Sequence, residues 1–265
     1  MDEKSARKPA YAGSFYPLEK KELAAQVSAF LSPSNGKDQK NLRAIIVPHA
    51  GYVYSGATAG KGHGLLSQLV PQPKNIILLG PSHNALFFGL ATCSAKRWQT
   101  PLGGVDADSI ENLCGKSGLV LDACEAHAPE HCLEVQLPFL QSVMKKGFTI
   151  FPALTCETDW ESAANYLAAA LENPKNFLVV SSDLSHYLPL ARAEAVDSRT
   201  CKIISSLDVS RAGEIDACGK AGIIAVMALG RKMGWTCVQL DYSTSAGASG
   251  DDSRVVGYGA FAFYK

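Results

Sequence analysis

Three short apolar runs along this chain each lead into a histidine. Ile45-Ile46-Val47 passes through Pro48 to His49, and Ile76-Ile77-Leu78-Leu79 passes through Gly80-Pro81-Ser82 to His83. Phe177-Leu178-Val179-Val180 repeats the design, running through Ser181-Ser182-Asp183-Leu184-Ser185 to His186. A continuous apolar run of this length, bounded by turn residues, predicts a strand buried on both faces, as in a parallel sheet. Ligands in open α/β sheets bind beyond the carboxyl ends of the strands, so the pattern predicts three histidines at one sheet edge.

The rest of the pattern alternates helices and strands. Leu23, Val27, Phe30 and Leu31 keep helical spacing in a helix starting near Leu18, stopped by Ser32-Pro33-Ser34-Asn35-Gly36. Gly51 to Gly56 reads as a turn and Ala57 to Leu69 as a helix on the sheet, although Gly60, Gly62 and Gly64 each cost it up to about 1 kcal/mol relative to alanine. Leu86 to Thr92 reads as β-structure running toward Trp98, and Asp106 to Cys114 as a helix whose aspartates, Asp106 and Asp108, suit its N-terminus. A strand over Phe148 to Leu154, helices over Trp160 to Leu171, Ala191 to Leu207 and Ala221 to Met233, and strands over Cys237 to Tyr242 and Val255 to Phe263 complete the chain. This order predicts an α/β fold: a single domain over residues 1–265, with a central, mostly parallel or mixed sheet flanked by helices.

Composition narrows the classes. Lys+Arg and Asp+Glu both number 25, so the net charge is zero and neither nucleic acid nor a membrane surface is the expected partner. The charged start, Met1 to Lys8, has no apolar core and is not expected to be a signal peptide. No run approaches the roughly 18 apolar residues of a membrane span, so a cytoplasmic protein is expected. Eight cysteines are present without a C-x-x-C pair, and most are expected to be buried free thiols.

Neutral imidazole is the commonest metal ligand, and two histidines with one carboxylate make the facial triad of non-haem Fe(II) sites. His49 and His83 fit the first two places, and Asp183 and His186 are placed to complete or flank them. The densest polar cluster, Glu130-His131-Cys132-Leu133-Glu134, precedes an apolar helix; His131 and Glu134, three apart, are expected to point into one cavity as orienting or acid/base groups. A turn accounts for any one histidine after a strand, but repetition at three strand ends points to a shared polar cavity. His63, alone within a helix, reads as a satisfied neighbour. The small residues of Ser243 to Ser253 match neither the P-loop nor the dinucleotide fingerprint, so a flexible loop is the plain reading there. A Ser-His-Asp hydrolase lacks its Gly-x-Ser-x-Gly elbow.

Several segments together resemble one family. They are Ala12-Gly13-Ser14-Phe15-Tyr16-Pro17, Val47-Pro48-His49-Ala50-Gly51-Tyr52, Gly80-Pro81-Ser82-His83, Glu130-His131-Cys132-Leu133-Glu134-Val135-Gln136-Leu137-Pro138-Phe139, Ser181-Ser182-Asp183-Leu184-Ser185-His186-Tyr187 and Cys218-Gly219. In this order, over nearly the whole chain, they look like the Memo family, also called AmmeMemoRadiSam system protein B. The resemblance implies a fold similar to class III extradiol dioxygenases, with His49 and His83 as metal ligands and Asp183, His186 and His131 lining the same cleft. It also implies Fe(II) or Cu as cofactor, redox or dioxygenase-like activity, and radical SAM and AMMECR-type proteins as partners. Animal members are similar but carry a cysteine ligand in the late loop, where this chain has Ala248, so the usual third ligand is missing. The cleft is expected to take a small molecule or peptide; the alternatives are a non-enzymatic module receiving a peptide, a phosphorylated side chain or a partner protein in the same cleft, a component of a radical SAM-linked modification pathway, and a hydrolase or phosphoryl-transfer enzyme on a similar sheet.

Overall fold

A computed structural model describes residues 6–31, 41–145 and 147–265. The helix stop expected at Ser32 to Gly36 lies outside the described residues. In chain order the strands are β1 (Ala6–Arg7), β2 (Leu42–Val47), β3 (Asn75–Pro81), β4 (Leu90–Thr92), β5 (Arg97–Thr100), β6 (Gly103–Ala107), β7 (Val120–Asp122), β8 (Thr149–Thr155), β9 (Asn176–Ser181), β10 (His186–Leu188), β11 (Thr236–Thr244) and β12 (Val255–Tyr264). The helices are α1 (Lys20–Phe30), α2 (Tyr52–Leu66), α3 (Glu111–Cys114), α4 (Cys124–His127), α5 (Leu137–Val143), α6 (Trp160–Leu171), α7 (Leu190–Ser206), α8 (Lys220–Met233) and α9 (Ala246–Ser249).

The strands join in one mixed sheet. Its centre is the parallel set β8-β3-β9-β2, with Pro81 opposite Thr155 and Val47 opposite Ser181. β12 runs antiparallel to β2 and carries β11 on its other side, while β6 and β4 pair with β8. Successive side chains of a strand point to opposite faces, which explains why the central runs are apolar throughout. Ile45, Val47, Ile76, Leu78, Phe177 and Val179 pack with Leu23 of α1, Leu65 of α2 and Phe139 of α5. The intervening Ala44, Ile46, Ile77, Leu79, Leu178 and Val180 pack with Leu167 of α6, Ile203 of α7 and Val226 of α8. The parallel registers carry the chain after β2, β3 and β9 out at the same edge, as the sequence pattern predicts.

Four local expectations are corrected. The segment 51–56 is not a turn, because α2 already begins at Tyr52. Strand structure before β4 starts only at Leu90. The helix expected from Asp106 is shorter, since Gly103 to Ala107 form β6, paired to β5 with Asp106 opposite Arg97. Val105 and Ala107 are buried while Asp106 is exposed, a period of two that outweighs the helix-favouring aspartates. Among the cysteines, Cys93 and Cys124 form a disulfide rather than two free thiols. Ala123 N–H donates to the Thr92 carbonyl, seating the start of α4 against the end of β4 and bringing these two thiols together. Cys132 and Cys201 are buried free thiols, whereas Cys114, Cys156, Cys218 and Cys237 are free and partly exposed.

Gly56, Gly60 and Gly62 of α2 are there for close approach. A Cβ at Gly60 would lie 2.3 Å from the Phe30 carbonyl oxygen, so α1 can sit on α2 only without it. Alanine would favour the helix by about 1 kcal/mol, but forcing the backbones apart costs about 1–3 kcal/mol. Gly60→Ala is therefore expected to lower the urea midpoint at unchanged slope; a raised midpoint would contradict this packing.

Candidate metal centre

His49 follows β2 and is held at both ends. Its backbone N–H donates to Asp183 Oδ1 at 2.7 Å, and its Nδ1 lies 2.9 Å from Ser181 Oγ, the last residue of the neighbouring β9. Asp183 takes the backbone N–H because the parallel pairing of β2 and β9 brings both strand ends to the same height. His83 follows β3 and is fixed by Glu130: its backbone N–H donates to Glu130 Oε2 at 2.7 Å and its Nδ1 lies 2.9 Å from Oε1. His131 places its Nδ1 3.3 Å from the same Glu130 oxygen.

The three rings converge. Centroid distances are 5.3 Å for His49–His83, 5.3 Å for His49–His131 and 4.7 Å for His83–His131, the last pair stacked at 22°. One ligand nitrogen from each ring falls within 4.8 Å of the other two. With Nδ1 committed to Ser181 in His49 and to Glu130 in His83, Nε2 is the remaining ligand nitrogen of each ring, that of His49 lying beside Cys218 Sγ. Metal-bound histidines hand their other ring N–H to a carboxylate or other oxygen, so this donor set fits a transition metal. His83, Glu130 and Cys132 also lie within ligand distance of one another, sharing the same carboxylate.

The rings open into a cleft of about 610 Å³ lined also by Phe15, Tyr54, Asp183, His186, Arg254 and Tyr258. Burial, with the neighbouring His131 and His83 rings, holds the His49 imidazole well below its ordinary value. Burial lowers His131 to about 4 and lowers His186 as well. Asp183, whose Oδ2 lies 3.9 Å from His49 Nε2, is raised by burial to about 7. Burial opposes ionisation of Glu130, yet its bonds from His83 and from the Cys132 N–H hold it far below the usual carboxylate range. Cys218, at the start of α8, places Sγ 3.2 Å from His49 Nε2, and burial raises this thiol to about 12.

Acid should therefore destabilise the metal-free protein. The unfolded chain takes up protons on histidine from the ordinary value of 6.5 downward, whereas folded His63, His127 and His131 resist until about 4. The unfolded state binds more protons in that window, so stability is complete above it and is lost as the pH falls through it. Asp183 and Asp197, raised by burial, act in the opposite sense, but five histidines are lowered against these two. The melting temperature is expected to fall between pH 7 and pH 5 in calorimetry; a flat or rising profile would contradict the balance.

The candidates named from sequence separate into three groups. His49, His83 and His131 come together, with Asp183 beside them and His186 on the cleft wall, although neither Asp183 nor His186 belongs to the close donor group. Glu134 corrects the expectation that it shares a cavity with His131. It is fully buried and faces the N-terminal segment, bonded to Arg7, the Ala10 and Tyr11 N–H groups and the Tyr16 hydroxyl. The late segment 243–253 is not merely a loop: it contains α9, and Ser245 just before that helix and Ser249 at its end line the cleft, whereas Ala248 does not. Sequence reasoning gave no part to Glu130 or Ser181. Glu130 adjoins His131 and Ser181 ends a histidine strand, and those positions were the available signal.

Comparison with known proteins agrees with this architecture. A family model for Memo-like protein matches residues 7–262. A MEMO1 family protein of Archaeoglobus fulgidus is 37% identical, covering 97% of this chain and 99% of its own length. One from Methanopyrus kandleri is 35% identical over 97% of this chain and 98% of its own, and one from Nitrosopumilus maritimus 33% over 97% and 99%. The chain therefore belongs to the Memo family, and its mixed sheet flanked by helices is that family's class III extradiol dioxygenase-like fold.

Proposed function

We propose that this protein holds one iron(II) or copper ion on His49, His83 and His131 and acts on a small molecule or peptide in the adjoining cleft. The observation that carries the reading is the convergence of three imidazoles, two of them with Nδ1 already tied back to the protein. Imidazole suits iron, copper, zinc and nickel, and a carboxylate beside the histidines favours a non-haem iron type of donor set. Such an ion, when bound, supplies redox and Lewis-acid chemistry. The chain supplies the rest. Asp183, near neutrality by its burial, can hold or release a proton at Oδ2, close to the His49 ring. Phe15, Tyr54 and Tyr258 give the cleft aromatic walls against which an apolar or ring-bearing ligand can pack.

Metal analysis of protein purified without a chelating column tests this. Stoichiometric iron or copper is expected in the wild type and none in a His49→Ala, His83→Ala double variant whose circular dichroism is unchanged. A wild type that stays metal-free after anaerobic reconstitution would overturn the site. Zinc as the sole ion retained would keep the site and overturn its redox role.

A further inference from the structure

Behind His49 lies a chain of buried polar groups that the metal reading does not use. Gln136 Nε2 lies 2.9 Å from Ser181 Oγ and 3.0 Å from the Pro48 carbonyl oxygen, and Gln136 Oε1 lies 2.8 Å from His63 Nε2. Ser181 Oγ lies 2.7 Å from the Cys132 carbonyl oxygen. His63, Gln136 and Ser181 are wholly buried, and His49 nearly so.

Two carbonyls settle where every proton sits, because a carbonyl oxygen only accepts. The Pro48 carbonyl requires a donor, so the amide nitrogen of Gln136 must face it, which leaves Oε1 toward His63. His63 must then donate from Nε2. Its Nδ1 has no hydrogen-bond partner, as a bare nitrogen in a neutral ring would have, and burial keeps that ring neutral by lowering it to about 4. The Cys132 carbonyl, 2.7 Å from Ser181 Oγ and 3.5 Å from Gln136 Nε2, takes the single Ser181 hydroxyl proton as the nearer donor. Ser181 Oγ can then only accept from its other two neighbours, so Gln136 donates to it from Nε2 and His49 donates from Nδ1. On the other side of the ring the Cys218 Sγ lies 3.2 Å from His49 Nε2, where a nitrogen without a proton can accept from the thiol.

We infer that Gln136, locked in orientation by His63, is a positioning residue that holds His49 in the Nδ1–H tautomer through Ser181 and the Pro48 carbonyl, keeping Nε2 bare toward the cleft. Gln136 grips the residue before His49 as well as the hydroxyl its ring donates to, so ring position and proton position are set together. The His63 N–H and the Pro48 carbonyl hold the amide at opposite ends, and without the His63 N–H only the Pro48 carbonyl opposes its turning. The tautomer belongs to the chain alone; its use in holding an ion rests on the proposed function.

Long-range ¹H–¹⁵N correlation spectra of the metal-free protein read the tautomer directly, and a chelator competition assay with iron(II) or copper reads affinity. The wild type is expected to show His49 protonated at Nδ1. Gln136→Met and His63→Leu are expected to give mixed tautomers and a loss of metal affinity on the order of tenfold. His63→Gln, which keeps an N–H donor, is expected to restore both signals. A wild-type His49 protonated at Nε2, or Gln136→Met and His63→Leu proteins with tautomer and affinity unchanged, would overturn the inference. If Gln136→Met does not fold, the wild-type spectrum and the His63 pair decide it. A wild type with the Nδ1–H tautomer that binds no metal would leave this network standing and overturn the metal reading instead.

Discussion

Glu134→Ala is expected to lower the melting temperature by on the order of 10 °C, from a loss of about 3–5 kcal/mol when one partner of a buried ion pair is removed. The pair is Arg7 Nη1 to Glu134 Oε2 at 2.6 Å, with side-chain exposures of 5% and 0%, so the remaining guanidinium would be left charged in the interior. The loss extends beyond that contact. The Ala10 N–H, the Tyr11 N–H and the Tyr16 hydroxyl all donate to the same carboxylate and would be orphaned together. Arg7 also donates to the carbonyls of His127 and Glu130, so the segment bearing Glu130 and His131 loses a brace. The N-terminal segment forms a wall of the histidine-lined cleft: Tyr11 and Phe15 place their rings 5.2 and 4.8 Å from that of His131, and the Phe15 carbonyl accepts from the Tyr52 N–H at the start of α2. Thermal unfolding by circular dichroism checks the prediction. An Arg7→Met, Glu134→Leu double variant should recover part of the loss by removing both charges, while the unpaired N–H groups keep it below the wild type. A Glu134→Ala protein melting within 2–3 °C of wild type, a shift worth only about 1 kcal/mol, would show that the segment is not latched there.

The contrast between Glu134 and the histidines shows what could be read in advance. Runs such as Ile76 to Leu79 are apolar on both faces because both faces are covered, and this alone places His49, His83 and the Asp183–His186 segment at one sheet edge. Which way a side chain turns after leaving the strand is a tertiary fact. His131 and Glu134 were expected to share a cavity on helical spacing, but Glu134 opens a 3₁₀ turn while His131 precedes it, so the spacing rule for an α-helix did not apply. The Cys93–Cys124 bond escaped for a related reason: 31 residues separate the partners, and only the seating of α4 against β4 joins them. His131 was expected in the same cleft as an orienting or acid/base group; its place in the close donor group with His49 and His83 was not foreseen, because it comes from a different part of the chain, before α5.

Glu130 carries the second large effect. Glu130→Ala is expected to weaken iron(II) or copper binding by about 10–100-fold, the usual cost of removing the group that orients a metal-bound histidine, and the upper part of that range applies because one carboxylate serves two rings. Oε1 receives the His83 Nδ1–H at 2.9 Å and lies 3.3 Å from His131 Nδ1, while Oε2 receives the His83 backbone N–H. Removing it frees His83 to rotate about its side chain and lets its two nitrogens exchange roles, so fewer molecules present Nε2 at any moment. Glu130→Gln separates charge from shape: it keeps an acceptor for one N–H but loses the negative charge that strengthens donation from both rings, so its affinity should fall between those of alanine and wild type. Competition with a coloured chelator gives the ratio, and a melting curve on the metal-free variants separates loss of binding from loss of fold. Because Glu130 lies against His83 and not against the His49–Ser181 pair, its loss should leave the His49 tautomer unchanged while affinity falls. Equal affinity in all three proteins would mean that His83 and His131 do not hold the ion through the nitrogens the structure leaves free.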